Sequence, residues 1–75
     1  MKLTGSMRRC LTLLERERAA IRVWYGKRGD EWSWHIGGAP MTHRVDRCIR
    51  AGLLRVESRD RVVLSPLGRQ VLASA

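Results

Sequence analysis

No apolar run in these 75 residues approaches the ~20 that a helix needs to cross a bilayer, so no membrane span is expected. No uninterrupted apolar stretch and no small-residue cleavage pattern follow the basic start MKLTGSMRRC, which argues against an export leader and makes the cytoplasm the expected location. Low-complexity segments are absent as well. With 44% hydrophobic residues, the chain reads as a single globular domain over residues 1–75. A chain of this size buries little more than ~60% of the surface its unfolded form exposes, which allows one small core. Gly5, Ser6 and Met7 resemble a cloning scar ahead of a start at Met7, which would leave residues 1–6 disordered or outside the folded domain.

Metal-ligating and catalytic residues are scarce. The only cysteines, Cys10 and Cys48, are 38 positions apart, and only His35 and His43 are available to complete a ligand set. That spacing does not predict a metal site, and no cofactor is expected. Both cysteines fall on apolar helix faces, where a reduced thiol packs as a small hydrophobe. There is no glycine-rich phosphate loop, no plausible carboxylate pair and no nucleophile with an identifiable base, so an enzyme is not expected. His35 and His43 read as ordinary strand and helix-start residues.

Acidic residues are also few, and here the imbalance is informative. Fifteen basic against seven acidic side chains give a net charge of +8, and thirteen of the fifteen are arginine, the side chain that forks onto phosphate or guanine. A polyanion is the natural partner, although arginine-rich coding and a solvated surface would give the same totals. Residues 1–28 carry +6 and residues 42–61 carry +3, so charge alone does not single out one element.

Residues 6–22 predict a first helix, with Thr4 or Ser6 as N-cap and Met7, Cys10, Leu11, Leu14 and Ile21 on one apolar stripe. Ala19 and Arg22 fall on its polar side, and Glu15 and Arg18 are spaced to pair. Val23, Trp24 and Tyr25 end this helix or begin an extended piece, and GKRGDE forms a polar turn. In EWSWHIGGAP, Trp32, Trp34 and Ile36 alternate with Ser33 and His35, and Gly37 and Gly38 then supply a hairpin turn with Pro40 on a return edge strand. A distorted helical turn is the second reading of that segment.

Thr42 is the expected N-cap of a short second helix over residues 42–53, with Val45, Cys48, Ile49 and Leu53 inward and His43, Arg44, Asp46, Arg47 and Arg50 outward. Gly52 stands where a helix ends in the left-handed region. Residues 55–65 alternate through a Ser58-Arg59-Asp60 turn and predict a β-hairpin. Ser65 and Pro66 open a last helix with Leu67, Val71 and Leu72 on its apolar side.

The string Ala51-Gly52-Leu53-Leu54, the charged hairpin after it, and Leu64-Ser65-Pro66-Leu67-Gly68-Arg69 together resemble the second half of bacterial winged helix-turn-helix regulators of the multiple-antibiotic-resistance type. The likeness covers residues 42–73. It implies an α+β winged-helix domain of three helices with a hairpin wing, in which a short strand or hairpin replaces the usual second helix. It further implies double-stranded DNA binding and transcriptional regulation, with residues 42–53 as recognition helix and 55–65 as wing. Carried over residue by residue, Thr42, His43, Arg44, Arg47 and Arg50 would face the major groove, and Arg59 and Arg61 the minor groove or backbone. Asp46 is awkward among phosphates unless it orients Arg50.

The resemblance leaves a second class open, since fold does not fix function. Trp24, Tyr25, Trp32 and Trp34 place four large aromatics within eleven residues. They either close the core where a second helix would have packed or form a protein interface. In the latter case the chain would be a small phage or mobile-element protein that inhibits a host protein or a CRISPR-type complex. A monomer and a small homodimer are both compatible with the sequence.

Overall fold

The computed structural model describes residues 3–74. Its order is α1 (Gly5–Glu17), β1 (Ala20–Tyr25), β2 (Glu31–Ile36), β3 (Ala39–Pro40), α2 (Thr42–Arg50), β4 (Leu54–Ser58), β5 (Arg61–Leu64) and α3 (Pro66–Ala73). The strands form one antiparallel sheet in the order β3-β2-β1-β5-β4, so β1 lies at its centre. The architecture is α+β, with three helices and a five-stranded sheet.

Thr4 caps α1, its hydroxyl accepting from Met7 N at 3.1 Å. Residues 4–6 are the cap and first turn of α1; residues 1 and 2 lie outside the described residues. The helix also stops five residues sooner than its apolar stripe suggested. Arg18 closes it at φ 80, donating its N–H to Leu14 O at 2.7 Å, and β1 begins at Ala20. The competing signal was period two: Ala20, Arg22 and Trp24 share one face of β1, and Ile21, Val23 and Tyr25 the other. Pairing with β2 and β5 on both sides settles the choice for strand. Consequently Ala19 is buried, Ile21 is exposed, and Arg18 has lost the helical geometry that would have paired it with Glu15.

The β2–β3 hairpin stands where the alternating tryptophans and Gly37-Gly38 placed it. Both glycines have positive φ (58 and 84), as a two-residue hairpin turn requires and glycine supplies without strain. Thr42 is not the N-cap of α2; Met41 is, without a side-chain cap, and the Thr42 hydroxyl accepts from Trp34 N at 3.1 Å. Its capping capacity is used to tie the start of α2 to β2. The helix ends at Arg50, shorter than the expected 42–53, and Gly52 follows at φ 78.

One core fills the space between helices and sheet. Cys10, Leu11 and Leu14 of α1, Ile36 of β2, Val45 and Cys48 of α2, Leu53 and Val62 are all buried. Each fully buried Leu, Ile or Val contributes about 1.5–3 kcal/mol. Ile49, Val71 and Leu72 pack partly against this cluster, whereas Leu67, expected on the apolar side of α3, is exposed.

Ser65 joins α2, the β4–β5 hairpin and α3. Its hydroxyl donates to Gly52 O at 2.7 Å and accepts from Gly68 N at 3.0 Å, while its own N–H donates to Leu53 O at 3.1 Å. Ser65→Ala removes the cap and leaves a buried N–H unmatched. A loss of about 1–2 kcal/mol is expected, read as a lower urea midpoint at unchanged slope.

Cys10 and Cys48 are free, buried thiols on facing helices. Hydrogen bonding with Cys48, and then burial, push the Cys10 thiol well above its ordinary range. In the unfolded chain a thiol titrates near ~8.5, so the folded state retains a proton that the unfolded state releases. The stability contributed by this thiol is full below that pH and is lost as pH rises above it. In reductant, the unfolding free energy should fall as pH rises above ~8.5, and only Cys10→Ala combined with Cys48→Ala should remove that slope, because Cys48, held low by the same bond, would be raised by burial once Cys10 is gone.

Candidate functional site

Burial of Val45 and Cys48 fixes the rotation of α2 and turns His43, Arg44, Asp46, Arg47 and Arg50 to solvent. Arg50 Nε lies 3.4 Å from Asp46 Oδ2, one turn back, so the one carboxylate on this face is engaged. Arg44 and Arg47 have no ion-pair partner among the described residues. Shallow recesses run along the face. One joins Ser6 and Met7 of α1 to His43, Arg44 and Arg47; another is lined by His43, Asp46, Arg47 and Arg50. Thr42 stands apart from the arginines in role, being half-buried and bonded to β2.

The arginines of the β4–β5 hairpin are less free. Arg61 Nε donates to Glu57 Oε2 at 2.8 Å. Arg59, at the turn, lies over the Trp24 ring with its guanidinium carbon 4.8 Å from the centroid. It therefore belongs to a second cluster, built on the β1–β2 hairpin.

The register pairs Trp24 with Trp32 and Arg22 with Trp34, which puts all four side chains on the helix-facing side of the sheet. Trp24 and Trp32 are 6.5 Å apart at 57°, and Trp32 and Trp34 are 5.8 Å apart at 72°, in the tilted and edge-to-face arrangements that aromatic quadrupoles favour. The Arg22 guanidinium carbon lies 4.3 Å from the Trp32 centroid, 4.6 Å from Trp34 and 5.6 Å from Trp24. Trp24 Nε1 donates to Asp60 Oδ1 at 2.9 Å, and Arg22 N donates to Asp60 O at 2.9 Å. The two hairpins are thus latched together, and β1–β2 continues beyond the β4–β5 turn to its own turn at residues 26–30.

The expected patch of four aromatics is divided by this geometry. Trp34 is 2% exposed and closes the core; Trp32 is 39% exposed and Trp24 half-buried along the ladder. Tyr25, 48% exposed, lies on the opposite sheet face with Ile21 and Val23, because neighbours along a strand point to opposite sides. That opposite face also carries Ser33 and His35, whose side chains are 2.8 Å apart.

Arg22 and Asp60 were not among the residues that sequence reasoning selected. A signal was present: AIRVWY and EWSWHI flank the turn GKRGD, and closing it as a hairpin puts Arg22 beside the tryptophans. Among the described residues, no group of three or more His, Cys, Asp or Glu is placed to hold a metal, and no helix is long and apolar enough to cross a membrane. No family model, curated protein or solved structure matches this chain.

Proposed function

We propose that this chain is a small winged-helix protein that binds duplex DNA in transcriptional control, with α2 as the major-groove element and the β4–β5 hairpin as the wing. One observation carries the reading: α2 presents His43, Arg44, Arg47 and Arg50 on one solvent face, with its single carboxylate occupied by Arg50. Arg44 and Arg47 are the strongest candidates for base edges, since an unpaired guanidinium can fork onto guanine O6 and N7. Arg50, held by Asp46, suits a phosphate, and Thr42 is reassigned to positioning the helix. The order helix, hairpin, helix over residues 42–73 supports the reading. No catalytic role is proposed.

Duplex binding measured by fluorescence anisotropy tests the reading. Affinity should fall steeply with salt, the slope of log K against log salt being about −0.9 for each phosphate contacted. A flat salt response would exclude this mode of binding.

A second reading rests on the other side of the sheet. Ile21, Val23 and Tyr25 form an exposed apolar column along β1, and large aromatics at such positions favour protein contacts. In that case the chain would grip a host protein or a CRISPR-type complex, as a phage or mobile-element protein would. Recovery of a stoichiometric protein partner that resists nuclease, and is lost with Tyr25→Ala, would favour it over DNA binding.

A further inference from the structure

We propose that Arg22 and Arg59, held on the tryptophan ladder of the β1–β2 hairpin, form a clamp for the phosphodiester backbone, separate from the face of α2. This site rests on the nucleic-acid reading above and extends it to the β1–β2 hairpin, which lies outside the resemblance in residues 42–73.

Both guanidiniums lie over aromatic rings, and Trp24 is shared: Arg22 is 5.6 Å and Arg59 4.8 Å from its centroid. Stacking uses the flat face of a guanidinium and leaves its in-plane N–H groups available for a forked contact with a phosphate. The rings also hold both arginines in place before any ligand arrives, which lowers the ordering cost of binding. Neither has an ion-pair partner among the described residues; Arg22 Nε is enclosed without a hydrogen-bond partner, so the terminal Nη groups of this half-buried side chain are the ones a phosphate would meet. The nearest carboxylate in sequence, Asp60, has Oδ1 committed to the Trp24 indole N–H. In the turn beyond, Lys27 and Arg28 are balanced by Asp30 and Glu31, so the positive charge of this arm rests on Arg22 and Arg59.

The site reports on itself, because all three tryptophans of the chain belong to the ladder. Titration of the whole protein with a short duplex should change tryptophan emission saturably, in step with anisotropy of the labelled DNA. Arg59→Gln, in an exposed turn, should weaken duplex binding roughly five- to tenfold and lower the salt slope by about 0.9, the value of one phosphate contact. Arg22→Lys keeps the charge but loses the forked guanidinium and should weaken binding similarly; if it fails to fold, Arg59→Gln decides.

Unchanged affinity, slope and emission in Arg59→Gln, alongside loss of binding in an Arg44/Arg47 variant, would overturn the clamp and leave the duplex reading standing. Should the protein ignore duplex DNA yet show a tripolyphosphate-dependent emission change that Arg59→Gln abolishes, the clamp stands and the duplex reading falls. No response to either probe overturns both.

Discussion

Replacing Arg44 and Arg47 together with alanine is expected to weaken duplex DNA binding about a hundredfold or more, since a base-contacting arginine contributes ~1–3 kcal/mol. Both side chains are exposed on α2 and have no ion-pair partner among the described residues, so their removal breaks nothing visible within the fold. The urea midpoint should move by no more than the ~0.5 kcal/mol usual for surface changes, which separates lost binding from lost structure. Arg50→Ala added to the pair should cost less than either of the other two, because Arg50 is already shared with Asp46. Anisotropy at fixed salt measures the effect directly. Duplex affinity within about twofold of the parent at salt near the Debye regime of ~0.1 M would remove α2 from the interface, and with it the major-groove assignment.

What could be read from the sequence divides along local and non-local lines. The second half was legible because its signals are local: the Ser65-Pro66 helix start, the turn at Ser58-Arg59-Asp60, the glycine after α2 and the inward spacing of Val45 and Cys48 all stand in the structure. The β2–β3 hairpin was equally plain, since Gly37-Gly38 punctuates a clean alternation. The end of α1 was not. Ile21 lies seven residues after Leu14 and extends the apolar stripe, so helical period and strand period overlap across residues 18–22. Only the partners β2 and β5, remote in sequence, decide between them.

The same limit applied to the candidate site. Arginine-rich α2 could be seen, but the cost of each hydrogen bond could not: Thr42 is consumed by Trp34, and Arg61 by Glu57. The arginine and tryptophan ladder depends on cross-strand register and on a contact between Trp24 and Asp60, 36 residues apart. Once that register is known, four aromatics that looked like one patch resolve into a core plug, a ladder of tilted rings and one tyrosine on the opposite face.

Gly68→Ala is expected to destabilise the domain by about 3 kcal/mol or more, the upper range for overpacking. Helix propensity alone predicts the reverse, since alanine inside a helix is favoured over glycine by ~1 kcal/mol. Position decides the sign. Gly68 is buried in the first turn of α3, and a Cβ there would collide with the carbonyl oxygen of Leu53, with the Leu53 carbonyl carbon 3.0 Å away and Leu64 Cδ2 at 3.4 Å. The leucine methyl can give way, but the Leu53 carbonyl is fixed by the N–H of Ser65 at 3.1 Å, and the N–H of Gly68 is itself bound to the Ser65 hydroxyl. Relief therefore requires α3 to lift from the segment that ends α2, breaking the Ser65 junction as it goes. Small domains have total stabilities toward the low end of ~5–15 kcal/mol, so urea denaturation should show a large shift in midpoint. Gln70→Ala, two residues on and exposed, serves as the control and should be neutral or slightly stabilising. A Gly68→Ala variant as stable as the parent would mean that α3 does not dock on Leu53. Because Leu53 lies only three residues beyond the end of α2, the variant should also lose duplex affinity without any change to an arginine, which would tie the glycine in Leu64-Ser65-Pro66-Leu67-Gly68-Arg69 to the placement of the proposed groove-reading helix.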